Sequence, residues 1–376
     1  MALPLYLATA LPGLEGVLAD ELVAKIPAAT VRETARGKVV FATPTPSDQL
    51  LTLRTADNLY RLLGRFRVGP HRTDLGDVRA AVARLDLVPG SLLSPHGVAS
   101  PGRRRSHRSV TFYVNASRTG RHTYSRFELG AAAAEGVLDR HPRWRLGDPT
   151  THDVELRLDL SDDAALFSRR LTPAAFRFRG QERHFAPAAL RPPVAHALVW
   201  LSDPAPGDRF VDPFCGSGTV LAERLPYPAQ YLLGGDSAAD VIRTTRANLR
   251  PPSLPALPDP SDLPGRDSPP GPFPTLCAGL VRWDARLLPL RDGGVDKVVT
   301  NLPFGRQVLR PTEIASLYRS FVAELRRVLA PQGTAILLTD QVDALLEVAA
   351  AMHPEPLCTL SLKGLHPQII RLRQKD

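Results

Sequence analysis

The sequence predicts an α/β C-terminal half built on a parallel sheet, preceded by a smaller α+β half. Three stretches carry the prediction. Residues 210–223, FVDPFCGSGTVLAE, pass from an apolar run ending at Asp212, through a loop with Gly216 and Gly218, into a helix start at Thr219. Strand, glycine loop, helix is the opening of a nucleotide-binding α/β unit, and the glycines let a ligand approach bare backbone. The next apolar run, YLLGGD, closes on Asp236, at the spacing of a carboxylate that binds ribose hydroxyls. Residues 298–305, VVTNLPFG, read as a further strand ending in a proline-containing turn. In a parallel sheet these three ends share one edge, where open α/β folds bind ligands.

From the N-terminus, residues 5–10 form a strand and Pro12-Gly13 turns the chain into a helix whose apolar face is Leu14, Val17, Leu18, Leu22 and Ile26. Residues 38–43 are a strand. Residues 50–63 carry a second helical pattern, with Leu59, Leu62 and Leu63 inward and Arg54 and Arg61 solvated. A helix over 75–87 precedes a loop rich in Pro, Gly and Ser, at whose end Arg103, Arg104, Arg105 and Arg108 crowd. Alternation of Val110, Phe112 and Val114 marks a strand; a polar turn then leads into an alanine-rich helix over 127–138. Residues 154–160 alternate again, and 164–171 form another strand. This half is expected to end near residue 172, with a first domain over 1–70 and a second over 71–172. Residues 173–195 are a basic connector whose prolines discourage a continuous helix. The α/β domain follows over 196–376. Residues 251–274, saturated with Pro, Gly, Ser and Asp, read as a disordered insertion. Strands are expected over 276–282, 297–300 and 334–339, with two more near the C-terminus. A helix over 317–329 would turn Leu317, Phe321, Leu325 and Val328 inward.

The 376 residues suffice for two or three domains, and the hydrophobic fraction of 43% is that of a globular protein. No apolar run approaches membrane-spanning length and the N-terminus lacks a basic leader, so a cytoplasmic protein without a membrane partner is expected. Only three cysteines occur, Cys215, Cys277 and Cys358, without paired spacing, which argues against a disulfide framework or a cysteine zinc site, and no metal is expected. The net charge of +9 is carried mostly by arginine. Residues 101–200 hold 17 arginines and no lysine against 10 acidic residues, so most of the excess lies in one segment, as a nucleic-acid footprint would.

Three chemistries compete for the glycine edge. A dinucleotide dehydrogenase wants G-x-G-x-x-G, but the third glycine position is Leu221. A phosphotransferase loop needs a lysine after its glycines, and CGSGTV has none. S-adenosylmethionine has no phosphate to cradle and suits DPFCGSGT. Asp212 would pair with its ammonium group, the backbone around Pro213, Cys215, Gly216, Gly218 and Thr219 would take its methionine and ribose portions, and Asp236 the ribose hydroxyls. Asp284 would accept from the adenine amine, the alternative being a helix N-cap. The N-L-P-F turn points to amine methylation. A base amine is a poor nucleophile because its lone pair is delocalised into the ring. Acceptors aimed at its hydrogens, the Asn301 side-chain oxygen and the Leu302 carbonyl, can favour the pyramidal amine; Pro303 stiffens the turn and Phe304 offers a stacking face. Cys215 lies in the cofactor loop, away from Pro303, and reads as a packing residue.

These motifs resemble those of the THUMP-domain RNA methyltransferases, in particular the bacterial and archaeal tRNA guanosine N2-methyltransferase family (TrmN). YLATALPGLEGVLADEL resembles the family's N-terminal ferredoxin-like domain, the segment through Leu171 its THUMP domain, and HFAPAALRPPVAHAL its connector. VDPFCGSGT and TNLPFG match its cofactor and catalytic motifs. Leu302 and Phe304 depart from the broader N-P-P-Y motif, and Ser237 and Ala238 from the usual G-x-D-x-D. The resemblance implies a class I Rossmann-like methyltransferase domain behind a ferredoxin-like plus THUMP half. It implies capture of the tRNA CCA end and acceptor stem by the N-terminal half and methylation of guanosine by the C-terminal half, with guanosine 6 the expected position; a monomer is expected. Candidate phosphate ligands are Arg103, Arg104, Arg105, Arg118, Arg121 and Arg126, with Arg177, Arg179 and Arg183 in the connector. A fragment over 185–376 is then expected to keep cofactor binding and lose tRNA affinity. The alternatives are a ribosomal-RNA guanosine or nucleic-acid adenine methyltransferase, or a non-catalytic RNA-binding protein with a vestigial cofactor fold.

Overall fold

The computed structural model describes residues 3–87, 109–179, 189–249, 277–304, 311–362 and 364–374. Arg103, Arg104, Arg105, Arg183, Gly305 and the 251–274 insertion lie outside the described residues. Two compact units are present, and their boundaries cut across the linear domain order. One holds Met1–Thr9, Leu22–Thr52 and Asn58–Phe176; the other holds Ala10–Glu21, Leu53–Asp57 and Arg177–Asp376.

The first unit is built on β1 (Leu5–Thr9), β2 (Thr30–Ala35), β3 (Lys38–Ala42), β4 (Asn58–Arg67), β5 (Thr111–Thr119), β6 (Arg145–Leu146), β7 (Val154–Ser161) and β8 (Ala164–Arg170). They form one sheet in the order β2-β3-β1-β4-β8-β7-β5-β6, so strands expected in two successive domains share a ladder. Helix α1 (Glu15–Lys25) follows β1. Helices α2 (Leu75–Ala83) and α3 (Arg126–Arg140) pack closely: a Cβ on Gly136 would stand 2.5 Å from the Arg79 carbonyl oxygen. Ser125 starts α3, accepting from Glu128 N–H while the Glu128 carboxylate accepts from its own N–H. Residues 50–63, expected as a helix, are instead a short 3-10 turn at Gln49–Thr52 and then strand β4. The pairing of β4 with β8 slips between Leu62 and Gly64. That bulge breaks the period of two and leaves Leu59, Leu62 and Leu63 at helical spacing.

The second unit carries α4 (Pro192–Leu201), β9 (Arg209–Asp212), α5 (Thr219–Arg224), β10 (Tyr231–Asp236), α6 (Ala239–Asn248), β11 (Cys277–Arg282), β12 (Val295–Asn301), α7 (Pro311–Val328), β13 (Leu329–Thr339), α8 (Val342–Ala349), β14 (Glu355–Thr359) and β15 (Gln368–Arg373). The sheet order is β11-β10-β9-β12-β13-β15-β14, parallel except for β15, which runs antiparallel to both neighbours. Strand order reverses between β9 and β12, which places a ligand crevice at their carboxyl ends. Phe321, Leu325 and Val328 of α7 are buried in this unit's core.

Two short N-terminal segments complete the second unit. The buried Glu21 carboxylate accepts from Arg54 N–H and Thr55 N–H, both at 2.8 Å. His196 of α4 lies between the Thr55 hydroxyl, 2.9 Å from Nδ1, and the Tyr227 hydroxyl, 2.7 Å from Nε2. Glu223 of α5 has a fully buried side chain that pairs with Arg54 at 2.8 Å and Arg179 at 3.0 Å. Arg54 is therefore an ion-pair partner rather than the solvated residue its spacing suggested.

Candidate active site

The carboxyl edge of β9, β10 and β12 assembles the cofactor motifs. Asp212 ends β9 fully buried and accepts from the Thr300 hydroxyl of β12 at 2.6 Å and from Phe214 N–H at 3.3 Å. Burial pushes its carboxyl up to about 7; the Thr300 bond pulls the other way, and the nearby Asp236 charge adds to the rise. The loop after it turns through Gly216 and Gly218 at φ +51° and +80°, left-handed conformations that L side chains rarely adopt. A Cβ on Gly216 would meet nothing closer than the Phe214 carbonyl oxygen at 4.0 Å, so the space beside Gly216 is open, whereas one on Gly218 would stand 2.6 Å from Cγ2 of Thr245. Asp236 spans the loop mouth: one carboxylate oxygen accepts from Gly216 N–H at 3.3 Å, the other from Ala238 N–H at 3.1 Å. Cys215 is buried, donates its backbone N–H to Gly235 at 2.9 Å, and has its thiol pushed up by burial, which fits a packing residue. Thr219 begins α5, buried, and the carbonyl of Pro213 accepts from the Trp283 indole at 3.0 Å.

Asn301 ends β12 beside this loop. Its side-chain oxygen is buried and lacks a hydrogen-bond partner among the described residues. Such an atom costs stability unless something donates to it. Leu302 is buried and its N–H donates to the Leu338 carbonyl at 3.0 Å; Pro303 and Phe304 are half-buried.

Asp284 is placed differently from expectation in its surroundings. It is exposed, and both carboxylate oxygens already accept from the Arg286 guanidinium, at 3.0 and 2.6 Å. Those bonds hold it below the usual carboxylate range. No helix follows it: Asp284 and Leu287 close a tight bridge. Among the connector arginines, Arg179 is spent on the buried Glu223 and on the Arg54 carbonyl oxygen, so it is removed from the phosphate candidates. Arg121, Arg126 and Arg177 are exposed, Arg118 is half-buried, and Arg126 and Arg177 each lie 4.8 Å over the ring of the following phenylalanine.

Several site residues escaped sequence reasoning. On α6, the Thr245 hydroxyl donates to the Gly216 carbonyl and Asn248 donates to the Ser217 carbonyl at 2.9 Å, so this helix holds the glycine loop from behind. Trp283 packs directly on Gly235, where a Cβ would stand 1.9 Å from its ring. The Gly-Gly pair before Asp236 was the available signal, since adjacent glycines in a strand mark a close approach.

This sheet order, with a glycine loop after β9 and an acidic residue ending β10, defines a class I, Rossmann-like methyltransferase fold. Residues 179–225 and 276–357 match the family described as UPF0020: RMKL-like, methyltransferase domain. The chain is 30% identical over 347 residues to the tRNA (guanine(6)-N2)-methyltransferase of Thermus thermophilus, covering 88% of each protein. It is 31% identical over 246 residues to human tRNA (guanine(6)-N(2))-methyltransferase THUMP3, over 65% of this chain and 46% of the human one. The chain thus spans about half the length of the mammalian relatives it matches. The crystal structure of TrmN from Thermus thermophilus superposes with a TM-score of 0.76 at 24% identity, covering 99% of this chain and 100% of that one. The chain belongs to the THUMP-type tRNA guanine-N2 methyltransferase family.

Proposed function

We propose that this protein transfers a methyl group from S-adenosylmethionine to the exocyclic N2 amine of a guanosine in tRNA, at guanosine 6. The observation that carries this reading is the side-chain oxygen of Asn301 at the carboxyl edge, which has no hydrogen-bond partner among the described residues, with open space at Gly216 of the glycine loop. An acceptor left empty in a preorganised turn is what an incoming amine hydrogen requires. The residues fit the cofactor: a buried carboxylate, Asp212, for its ammonium group, the left-handed and uncovered Gly216 backbone for close approach, and Asp236 for its ribose hydroxyls. When bound, S-adenosylmethionine supplies an electrophilic methyl carbon on a sulfonium centre. The chain's own part is to hold the guanine. Asn301 and the Leu302 carbonyl accept from the two amine hydrogens and turn the nitrogen lone pair out of conjugation, while Phe304 stacks on the extruded base. No side chain strong enough to abstract a proton is needed: the donor sulfonium would be left as a neutral thioether, and the methylated, cationic nitrogen is acidic enough to lose its proton to water.

The names of the relatives support tRNA as substrate and position 6 as target. Exposed Arg121 and Arg126, with half-buried Arg118, suit phosphate contact in the first unit. We read the partner as the CCA end and acceptor stem, and the working form as a cytoplasmic monomer; no helix among the described residues is long and apolar enough to cross a membrane. Asp284 contributes to adenine binding only if Arg286 gives way. Mass spectrometry of nucleosides from tRNA incubated with protein and S-adenosylmethionine is expected to yield N2-methylguanosine, with Asn301→Ala lowering the yield about a hundredfold. Methyladenosine alone, or preferential methylation of ribosomal RNA or duplex DNA, would refute the reading.

A further inference from the structure

Tyr318 of α7 is fully buried, with its hydroxyl 2.9 Å from the Pro303 carbonyl oxygen and 2.8 Å from the Thr339 hydroxyl at the end of β13. These distances fix the direction of a hydrogen-bond chain. A carbonyl can only accept, so the single phenolic proton points at Pro303. The phenolic oxygen then accepts from Thr339, whose own oxygen accepts from Gln341 N–H at 2.9 Å. The order is Gln341 N–H to Thr339, Thr339 to Tyr318, Tyr318 to Pro303, each link polarising the next. Burial pushes the Tyr318 phenol upward, so it stays a donor through the neutral range. On the other side of the turn, Leu302 N–H is pinned to the Leu338 carbonyl at 3.0 Å. The peptide between Leu302 and Pro303, which bears the Leu302 carbonyl, is therefore held at both flanks, and the proline ring fixes the torsion after it.

We propose that Tyr318, backed by Thr339, is a positioning residue for methyl transfer: it aims the Leu302 carbonyl at the base amine by fixing the Pro303 peptide. This rests on the reading that Asn301 and Leu302 accept from that amine. Tyr318 touches neither cofactor nor base in this scheme, so its loss should slow chemistry without weakening either ligand. An acceptor displaced by a fraction of an ångström lowers the rate because the geometry of attack is lost, not because binding is lost.

The test is steady-state kinetics of Tyr318→Phe on a tRNA transcript, with cofactor affinity by calorimetry and thermal melting alongside. The expected result is a fall in kcat of about tenfold to a hundredfold, with KM for tRNA and cofactor affinity unchanged. Thr339→Val should repeat the pattern through the same chain, and Thr339→Ser, which keeps the hydroxyl, should restore the rate. Wild-type kcat in Tyr318→Phe overturns the proposal. So does a fall in kcat that accompanies equal losses of cofactor affinity and melting temperature, or a Thr339→Ser variant as slow as Thr339→Val. If the wild-type product is a methylated base other than guanine, the guanine reading fails by itself, and the Tyr318 effect is read on that product's rate.

Discussion

Asp212 carries a testable consequence of its burial. Its folded-state carboxyl is raised from 3.8 to about 7, so the folded apo-protein binds a proton that the unfolded chain has lost. Stability from this group is therefore fully present below pH 3.8 and declines as pH rises through about 7. A cofactor ammonium placed beside Asp212 favours the charged carboxylate and must expel that proton. Cofactor affinity is expected to rise with pH up to about 7 and then level, with proton release visible in calorimetry run in buffers of different ionisation enthalpy. Asp212→Asn should bind weakly with no proton release. Equal proton release from wild type and variant would remove Asp212 from the cofactor's ammonium site. Asp212, Gly216, Gly218 and Asn301 could be singled out in the sequence because each lies in a contiguous motif. Thr300, one residue before Asn301, could not be assigned: its hydroxyl matters only because β12 lies beside β9, a fact of sheet order rather than of local sequence.

At the scale of elements, the carboxyl edge is held from behind by α6 and from below by Trp283. Neither support has a sequence signature, since their partners lie 29 to 70 residues away. The Trp283 ring covers Gly235 so closely that any side chain there must displace it. Gly235→Ala is expected to cost about 1–3 kcal/mol through overpacking and, by moving the ring off the Pro213 carbonyl, to weaken cofactor binding. Denaturant unfolding and calorimetry check both effects; a variant as stable and as tight as wild type would show that the ring has room to move. Element type was legible wherever periodicity was clean. Residues 154–160 alternate and form β7, and the inward face read for the helix after β1 is buried throughout. It failed at β4, where a bulge and two buried neighbours, Leu59 and Tyr60, blur the alternation of a strand covered on both sides.

For the whole molecule, the division of the chain differs from the linear order that composition suggests. The compact unit bearing the glycine loop takes in Ala10–Glu21 and Leu53–Asp57. A fragment over residues 185–376, which the charge distribution alone would predict to bind cofactor, lacks Arg54 and Arg179 and leaves Glu223 buried with neither. It also lacks Glu21 and Thr55 beside His196. Removing partners from a buried charge costs about 3–5 kcal/mol, a large share of a domain's stability. The fragment is expected to be unfolded or to melt far below the full chain by circular dichroism; a cooperative transition at the full chain's temperature would show that the N-terminal segments are dispensable. Such non-local pairing was invisible in the sequence, where Arg54 looked like one more surface arginine.

The most direct test of the central claim, that the carboxyl edge presents acceptors to a guanine N2 amine in tRNA, replaces that amine alone. Two otherwise identical tRNA transcripts, one with guanosine and one with inosine at position 6, are incubated with the protein and radiolabelled S-adenosylmethionine. Inosine keeps the ring, the carbonyl and the backbone but has no exocyclic amine. Incorporation into the guanosine transcript and none into the inosine transcript is the result predicted here. Equal incorporation into both would place the methyl group elsewhere and contradict the assignment of Asn301 and Leu302.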